Sequence, residues 1–141
     1  MRAVASRVLE AAVLVDGQLV GELDAPGLLV LLAVTHDDGP AQAETMARKL
    51  HELRILRDER SVADTGAGVL LISQFTLYGA TRKGRRPSFT AAAHPAHAEP
   101  LVEEVVARLR ARGIAVATGR FGATMVVRSM ADGPFTVLID V

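Results

Sequence analysis

The sequence predicts an α/β or α+β domain of about seven strands and two helices around a mixed or closed sheet. Three observations carry this. The N-terminal stretch alternates apolar and polar residues and breaks at Asp16-Gly17. A continuous apolar run, Leu28 to Val34, and a second apolar strand, Val69 to Leu77, bracket a segment of helical period. Three further strand-like stretches follow a second such segment.

From Ala3, the residues Ala5, Leu9, Ala11, Val13 and Val15 share one parity, and Asp16-Gly17 is a tight-turn signal before Gln18 to Leu23 resumes. This predicts an opening β-hairpin. Leu28 to Val34, bounded by Pro26-Gly27 and by His36-Asp37-Asp38-Gly39, predicts a strand buried on both faces. A helix then starts at Pro40, with Ala43, Met46, Ala47, Leu50 and Leu53 on its inner stripe and Glu44 and Arg48 as an i,i+4 pair on the wet side. Arg57 to Gly68 is polar and irregular, and the strand Val69 to Leu77 runs directly into a basic loop. A second helix from about Ala98 to Arg112 buries Leu101, Val102, Val105 and Leu109 and stops at Gly113. Strands at Ile114 to Thr118, Met125 to Met130 and Phe135 to Val141 complete the count, the last two separated by Asp132-Gly133-Pro134.

The length of 141 residues fits one domain, residues 1 to 141, and half of the chain is apolar. Such a chain buries about two-thirds of its unfolded surface, which excludes general disorder. The longest apolar stretch, Gly27 to Val34, is far short of the roughly 20 residues of a membrane span, and no signal core follows the start. A soluble, cytoplasmic protein with no membrane partner is expected. Without cysteine, thiolate nucleophiles, disulfides and thiolate zinc sites are excluded. Zero net charge hides an asymmetry. Residues 1 to 75 hold 7 basic and 11 acidic residues, whereas residues 76 to 141 hold 9 and 5. Four of the basic ones, Arg82, Lys83, Arg85 and Arg86, share a five-residue window, which reads either as a solvated loop or as a site for a polyanion such as RNA.

Familiar signatures fail. Gly66 and Gly68 precede a strand rather than a helix and lack the third glycine of a dinucleotide fingerprint. Gly79 and Gly84 have P-loop spacing, but Arg85-Arg86 stands where Lys and Ser/Thr are required. His94 and His97 are three apart, but Pro95 between them and the lack of a nearby carboxylate favour an exposed loop, so no metal is expected. None of the five serines sits in a nucleophile elbow. The aromatic residues Phe75, Tyr78, Phe89, Phe121 and Phe135 lie beside or within the glycine- and arginine-rich loops, and the first 74 residues have none. They either pack the second half of the core or form a nucleobase site, where stacking is worth about 1 to 3 kcal/mol per base.

Four ordered motifs then become specific: Ser73-Gln74-Phe75-Thr76-Leu77; Lys83-Gly84-Arg85-Arg86-Pro87-Ser88-Phe89; Gly119-Arg120-Phe121-Gly122-Ala123; and Asp132-Gly133-Pro134-Phe135-Thr136. With Met1-Arg2-Ala3-Val4, Arg7-Val8 and Gly27 to Leu32, they closely resemble the D-aminoacyl-tRNA deacylases along the whole chain. The resemblance implies a rolled-up, barrel-like mixed sheet and an esterase that frees D-amino acids, and in some members glycine, from the terminal adenosine of tRNA. It implies a homodimer whose Gly-Pro segment enters the partner's active site as a cis peptide, with no cofactor and no DNA partner. By the same resemblance Ser73, Gln74, Phe75 and Thr76 match the catalytic floor and Gly133 and Pro134 the chirality gate. Phe121, Gly122 and Met125 fall in the adenine-binding stretch, and Arg82, Lys83, Arg85 and Arg86 are taken to meet the tRNA phosphates.

The sequence departs from the family at Ala131, where Asn is more frequent, at Phe135, where Val is usual, at Ala80, and in a shorter Arg57 to Gly68 connection. A non-catalytic tRNA or nucleotide binder on the same scaffold is the alternative. The chemistry suits the missing triad, because an aminoacyl ester is already activated. Positioned water and backbone N–H groups near Phe75 and Thr76 then suffice, with help either from the tRNA 2′-hydroxyl or from Thr76.

Overall fold

The structure, a computed structural model, describes all 141 residues. In chain order it runs β1 (Arg2–Val15), β2 (Gln18–Leu23), β3 (Gly27–Ala33), α1 (Pro40–Glu52), α2 (Val62–Thr65), β4 (Val69–Ser73), α3 (Pro95–Ala111), β5 (Val116–Thr118) and β6 (Met125–Asp140). Short 3-10 turns occupy Arg57–Glu59 and Phe75–Tyr78. The six strands form one sheet in the order β2-β1-β3-β4-β5, with β6 on the other side of β1. β3, β4 and β5 are parallel and the remaining pairs antiparallel, so the sheet is mixed.

Long β1 organises this arrangement. Its first half pairs with β3, its second half with β2, and its other edge with β6 along nearly its whole length. The sheet rolls until β2 lies against β5. A Cβ on Gly21 would run into the carbonyl of Thr118, so only glycine permits that approach and the near closure of the barrel.

Two apolar layers hold the roll. On one side of the sheet, Ala43, Met46, Ala47 and Leu50 of α1 and Leu101, Val105 and Leu109 of α3 pack on Leu28, Val30, Leu32, Val69 and Leu71. Inside the roll, Leu29, Leu70 and Ile72 meet Val8, Ala11 and Val13. β3 and β4 are therefore covered on both faces, as their unbroken apolar runs predict. No helix is long and apolar enough to cross a membrane.

Several expectations are corrected. The buried positions of β1 are Ala3, Ala5, Val8, Ala11, Val13 and Val15, and Leu9 is exposed. Irregularities opposite β6 at Ser6/Val8 and Val8/Glu10 shift the parity and restore it, so strict alternation selected the wrong residue there. β4 ends at Ser73, and Phe75 to Tyr78 is a 3-10 turn, so the predicted strand to Leu77 is too long. The two predicted final strands are one strand interrupted by a bulge: Val8 pairs with Ala131 and Ser6 with Thr136, leaving residues 132 to 135 opposite Arg7. The irregular Arg57 to Gly68 connection contains α2, capped by Ser61 and closed by Gly66 in the left-handed conformation. Glu44 does not pair with Arg48. It pairs with Arg108 and Arg112, which ties α1 to α3, while Arg48 faces Glu52 at 3.9 Å.

Candidate active site

Where β4 ends, the chain turns sharply and its polar groups are pinned. Gln74 N–H donates to Leu32 O on β3 at 2.7 Å, and Leu77 N–H donates back to Gln74 O at 3.2 Å. The amides of Phe75 and Thr76 precede that first 3-10 bond, so the turn itself gives them no acceptor. Arg2 holds the far end of the turn: it donates to Leu77 O at 3.3 Å, lies over the Tyr78 ring at 5.2 Å and pairs with Asp140 at 2.7 Å. The Gln74 side-chain amide donates to Thr76 Oγ1 at 2.6 Å.

This turn forms the floor of a cleft of about 580 Å³, and 14 of its 19 lining residues are hydrophobic. Ser73, Gln74 and Phe75 share its lining with Phe121, Gly122 and Met125, and with Phe89, His94 and Ala98. Phe75 and Phe89 meet edge to face, with ring centres 5.3 Å apart. Gly119 makes room for Met125: a Cβ there would stand 2.5 Å from the Met125 sulfur. Apolar walls with a few convergent polar groups fit a flat, heterocyclic ligand.

The basic loop lies next to the cleft. Ala80 and Ser88 exchange two backbone hydrogen bonds of 2.7 and 3.1 Å, closing a loop whose base continues into Phe89. Arg82, Lys83, Arg85 and Arg86 are exposed on it and none joins an ion pair. They are free to meet phosphates.

The sequence-predicted residues thus divide. Ser73, Gln74, Phe75, Phe121, Gly122 and Met125 share the cleft, and Thr76 sits beside it on the Gln74 amide. Gly133 and Pro134 do not line the cleft of their own chain. They stand out from the β6 bulge on a separate support that sequence reasoning missed. Asp132 is buried and takes Arg7 on one side, at 3.1 Å, and Arg57 on the other. Arg7 Nε also donates to the Asp132 carbonyl at 3.1 Å, and its guanidinium covers the Phe135 ring at 5.1 Å. The hydrogen bonds from Arg57, with burial opposing them, hold the Asp132 carboxyl below its usual range. Its contribution to stability is therefore present above the ordinary carboxylate pKa and is lost as pH falls through the lower, folded-state value.

One implied feature is overturned. No peptide bond is cis, so Gly133-Pro134 is trans, the isomer that an X-Pro amide favours by about 0.5 to 1 kcal/mol. The chain is redirected instead at Gly133, whose φ is +118°. The histidine pair also differs from the predicted exposed loop. Pro95 begins α3, His94 caps it through Nδ1, and the His97 Nε2 lies 2.9 Å from the Asp38 carbonyl. The sequence offered no signal for this, because histidine is not among the usual caps. Phe89 and the α3 residues lie outside the site that the sequence assigns, although Phe89 ends the basic-loop motif and belongs to the aromatic cluster.

Comparison with known proteins gives the family and the fold. The family described as D-Tyr-tRNA(Tyr) deacylase matches residues 4–140. A D-aminoacyl-tRNA deacylase of Kineococcus radiotolerans is 61% identical over 99% of both chains. The solved structure of a c-Myc DNA Unwinding Element Binding Protein superposes with a TM-score of 0.92 at 33% identity, covering 100% of this chain and 99% of its own. A probable eukaryotic D-amino acid tRNA deacylase shares the fold, with a TM-score of 0.88 at 18% identity over 99% of this chain and 98% of its own. A family match along nearly the whole sequence, and a relative 61% identical over 99% of both chains, establish that the chain belongs to the D-Tyr-tRNA(Tyr) deacylase family.

Proposed function

We infer that the cleft is where this chain carries out its family's reaction, the hydrolysis of D-aminoacyl-tRNA to free tRNA and a D-amino acid. The observation that carries the reading is the joining of an apolar, aromatic-walled cleft to a floor of backbone amides. The terminal adenosine stacks between Phe121 and Met125 on one side and the Phe89 wall on the other. The ester carbonyl then lies over the Phe75 and Thr76 amides. Water attacks that carbon, the two N–H groups receive the negative charge on oxygen, and the ribose oxygen leaves with a proton. Glycyl-tRNA meets the same floor and is a second substrate.

The adjacent ribose 2′-hydroxyl is the proton carrier favoured here. Thr76 Oγ1 is held by an amide N–H, which has no capacity to take a proton from it. Thr76→Val is expected to keep kcat within about fivefold, whereas a substrate ending in 2′-deoxyadenosine should lose at least about a hundredfold. Single-turnover hydrolysis of both measures this, and loss of turnover in Thr76→Val with intact tRNA binding would assign the role to Thr76. Dependence on a ribose hydroxyl also makes RNA, not DNA, the partner.

The basic loop supplies phosphate contacts. Replacing Arg82, Lys83, Arg85 and Arg86 together by alanine should reduce the slope of log affinity against log salt by about 3. An unchanged slope in filter-binding titrations would remove the loop from the interface.

The working unit is a homodimer in which Gly133 and Pro134 of one protomer close the cleft of the other. Two features support it. The gate segment does not line its own cleft, and β6 has one edge with no strand beside it and carries exposed Val126, Met130, Phe135 and Leu138. The main-chain carbonyls of the gate, pressed against the substrate α-carbon, leave space for hydrogen and exclude an L side chain. The decisive assay is release of labelled D-tyrosine from D-tyrosyl-tRNA by the purified protein, with L-tyrosyl-tRNA as the control. Binding without release would favour the non-catalytic reading.

A further inference from the structure

We propose that His94 is a base-recognition residue, donating its Nε2–H to a ring nitrogen of the terminal adenine. The proposal rests on the reading of the cleft as the nucleoside site. An apolar cleft holds a flat base by its faces, and that contact is tolerant of which base it is. Discrimination requires a polar group placed at the base's edge, because a wrong partner then leaves that group unpaired. The cleft has three polar side chains, Ser73, Gln74 and His94. Ser73 and Gln74 belong to the floor beneath the ester, and the Gln74 amide is already committed to Thr76. His94 alone lies outside that floor, between Ala93 and Pro95 at the start of α3.

Its orientation is fixed by its second task. Nδ1 accepts the Ala96 N–H at 3.3 Å as the cap of α3. A neutral imidazole that accepts at Nδ1 carries its proton at Nε2. The cap thus selects a tautomer and leaves one unpaired donor on a cleft-lining ring. His97, one turn along, is occupied at Asp38 O, and His36 at Thr90 O, so neither competes for this role.

The two tasks separate by substitution. His94→Ser keeps a strong helix cap but has no reach, whereas His94→Gln restores an N–H donor at similar distance and gives up the better cap. Steady-state kinetics on D-tyrosyl-tRNA and on D-tyrosyl-adenosine, with thermal melts of each variant, provide the test. His94→Ser is expected to raise KM about tenfold on both substrates with kcat within twofold and the melting temperature retained. His94→Gln should recover KM to within about threefold while melting lower. Nucleoside affinity and stability therefore move in opposite senses between the two variants. An unchanged KM in His94→Ser overturns the proposal. So does a KM rise confined to D-tyrosyl-tRNA, which would signify a phosphate contact, and so does a KM that rises only in the variant that melts lower. Phe121→Ala separates this failure from that of the underlying reading. If it raises KM while His94→Ser is silent, the cleft still holds the nucleoside and only the His94 assignment falls. If neither variant changes KM, the cleft reading falls as well.

Discussion

Gly133→Ala should abolish most chiral discrimination. At φ +118° an L side chain is strained in any surroundings, and here a Cβ would also stand 2.6 Å from Arg7 Nη2. Arg7 is not free to retreat. It bonds to the Asp132 carbonyl, pairs with the Asp132 carboxylate and covers Phe135, so moving it disturbs three contacts at the bulge and leaves Arg57 alone on the carboxylate. Strain of this kind costs about 1 to 3 kcal/mol, and a drop in melting temperature of about 3 to 10 °C is expected. The effect on selectivity should be larger. A gate made of main chain excludes L substrates only if its carbonyls are held to within a fraction of an ångström, so the D-to-L ratio of kcat/KM should fall by at least about a hundredfold. Pro134→Ala is the contrast. The preceding peptide is already trans, so alanine need not alter the path of the chain, and the loss should be several times smaller. A Gly133→Ala enzyme with the wild-type D-to-L ratio would remove the gate from this loop.

The parts legible in the sequence were those determined by neighbours along the chain. The turn at Asp16-Gly17, the unbroken apolar runs of β3 and β4, and the helical stripes of α1 and α3 follow from local periodicity. The deacylase motifs supply seven of the 19 residues that line the cleft. The failures share a different origin. Arg57 and Arg7 meet Asp132 across 75 and 125 residues, and no local pattern identifies which surface arginine folds back on which aspartate. The parity shift at Val8 arises from the bulge of β6, a partner strand at the opposite end of the chain. His94 as a cap was hidden because its role comes from where Pro95 starts the helix, and Glu44 chose Arg108 and Arg112 once α3 was packed beside α1. Asp132-Gly133-Pro134 was read as the end of one strand and the start of another. Long β1 supplies pairing on both sides of it, so the interruption survives as a bulge within one strand.

Leu138→Asp or Met130→Asp should yield a folded monomer with almost no deacylase activity. Leu138 is 60% exposed and Met130 51%, so a carboxylate at either position faces water in the single chain and costs it little. In an assembly the same carboxylate is buried without a partner, a penalty of several kcal/mol that a symmetric interface suffers twice. The physical need for such an assembly lies in β6. Its 16 residues present a long unpaired edge beside exposed apolar side chains, an arrangement that invites aggregation unless another chain covers it. Covering it would also bring the bulge of one protomer to its partner, which is how a segment absent from its own cleft can serve a cleft at all. Sedimentation should therefore report half the wild-type mass, circular dichroism an unchanged fold, and the kinetics a fall in kcat/KM of at least about a hundredfold for D-tyrosyl-tRNA. Binding of uncharged tRNA should weaken far less, because the basic loop and the aromatic wall belong to one chain. A monomer that retained full activity and full selectivity would show that the cleft is complete without a partner, and the gate would then have to be sought on the chain that holds the substrate.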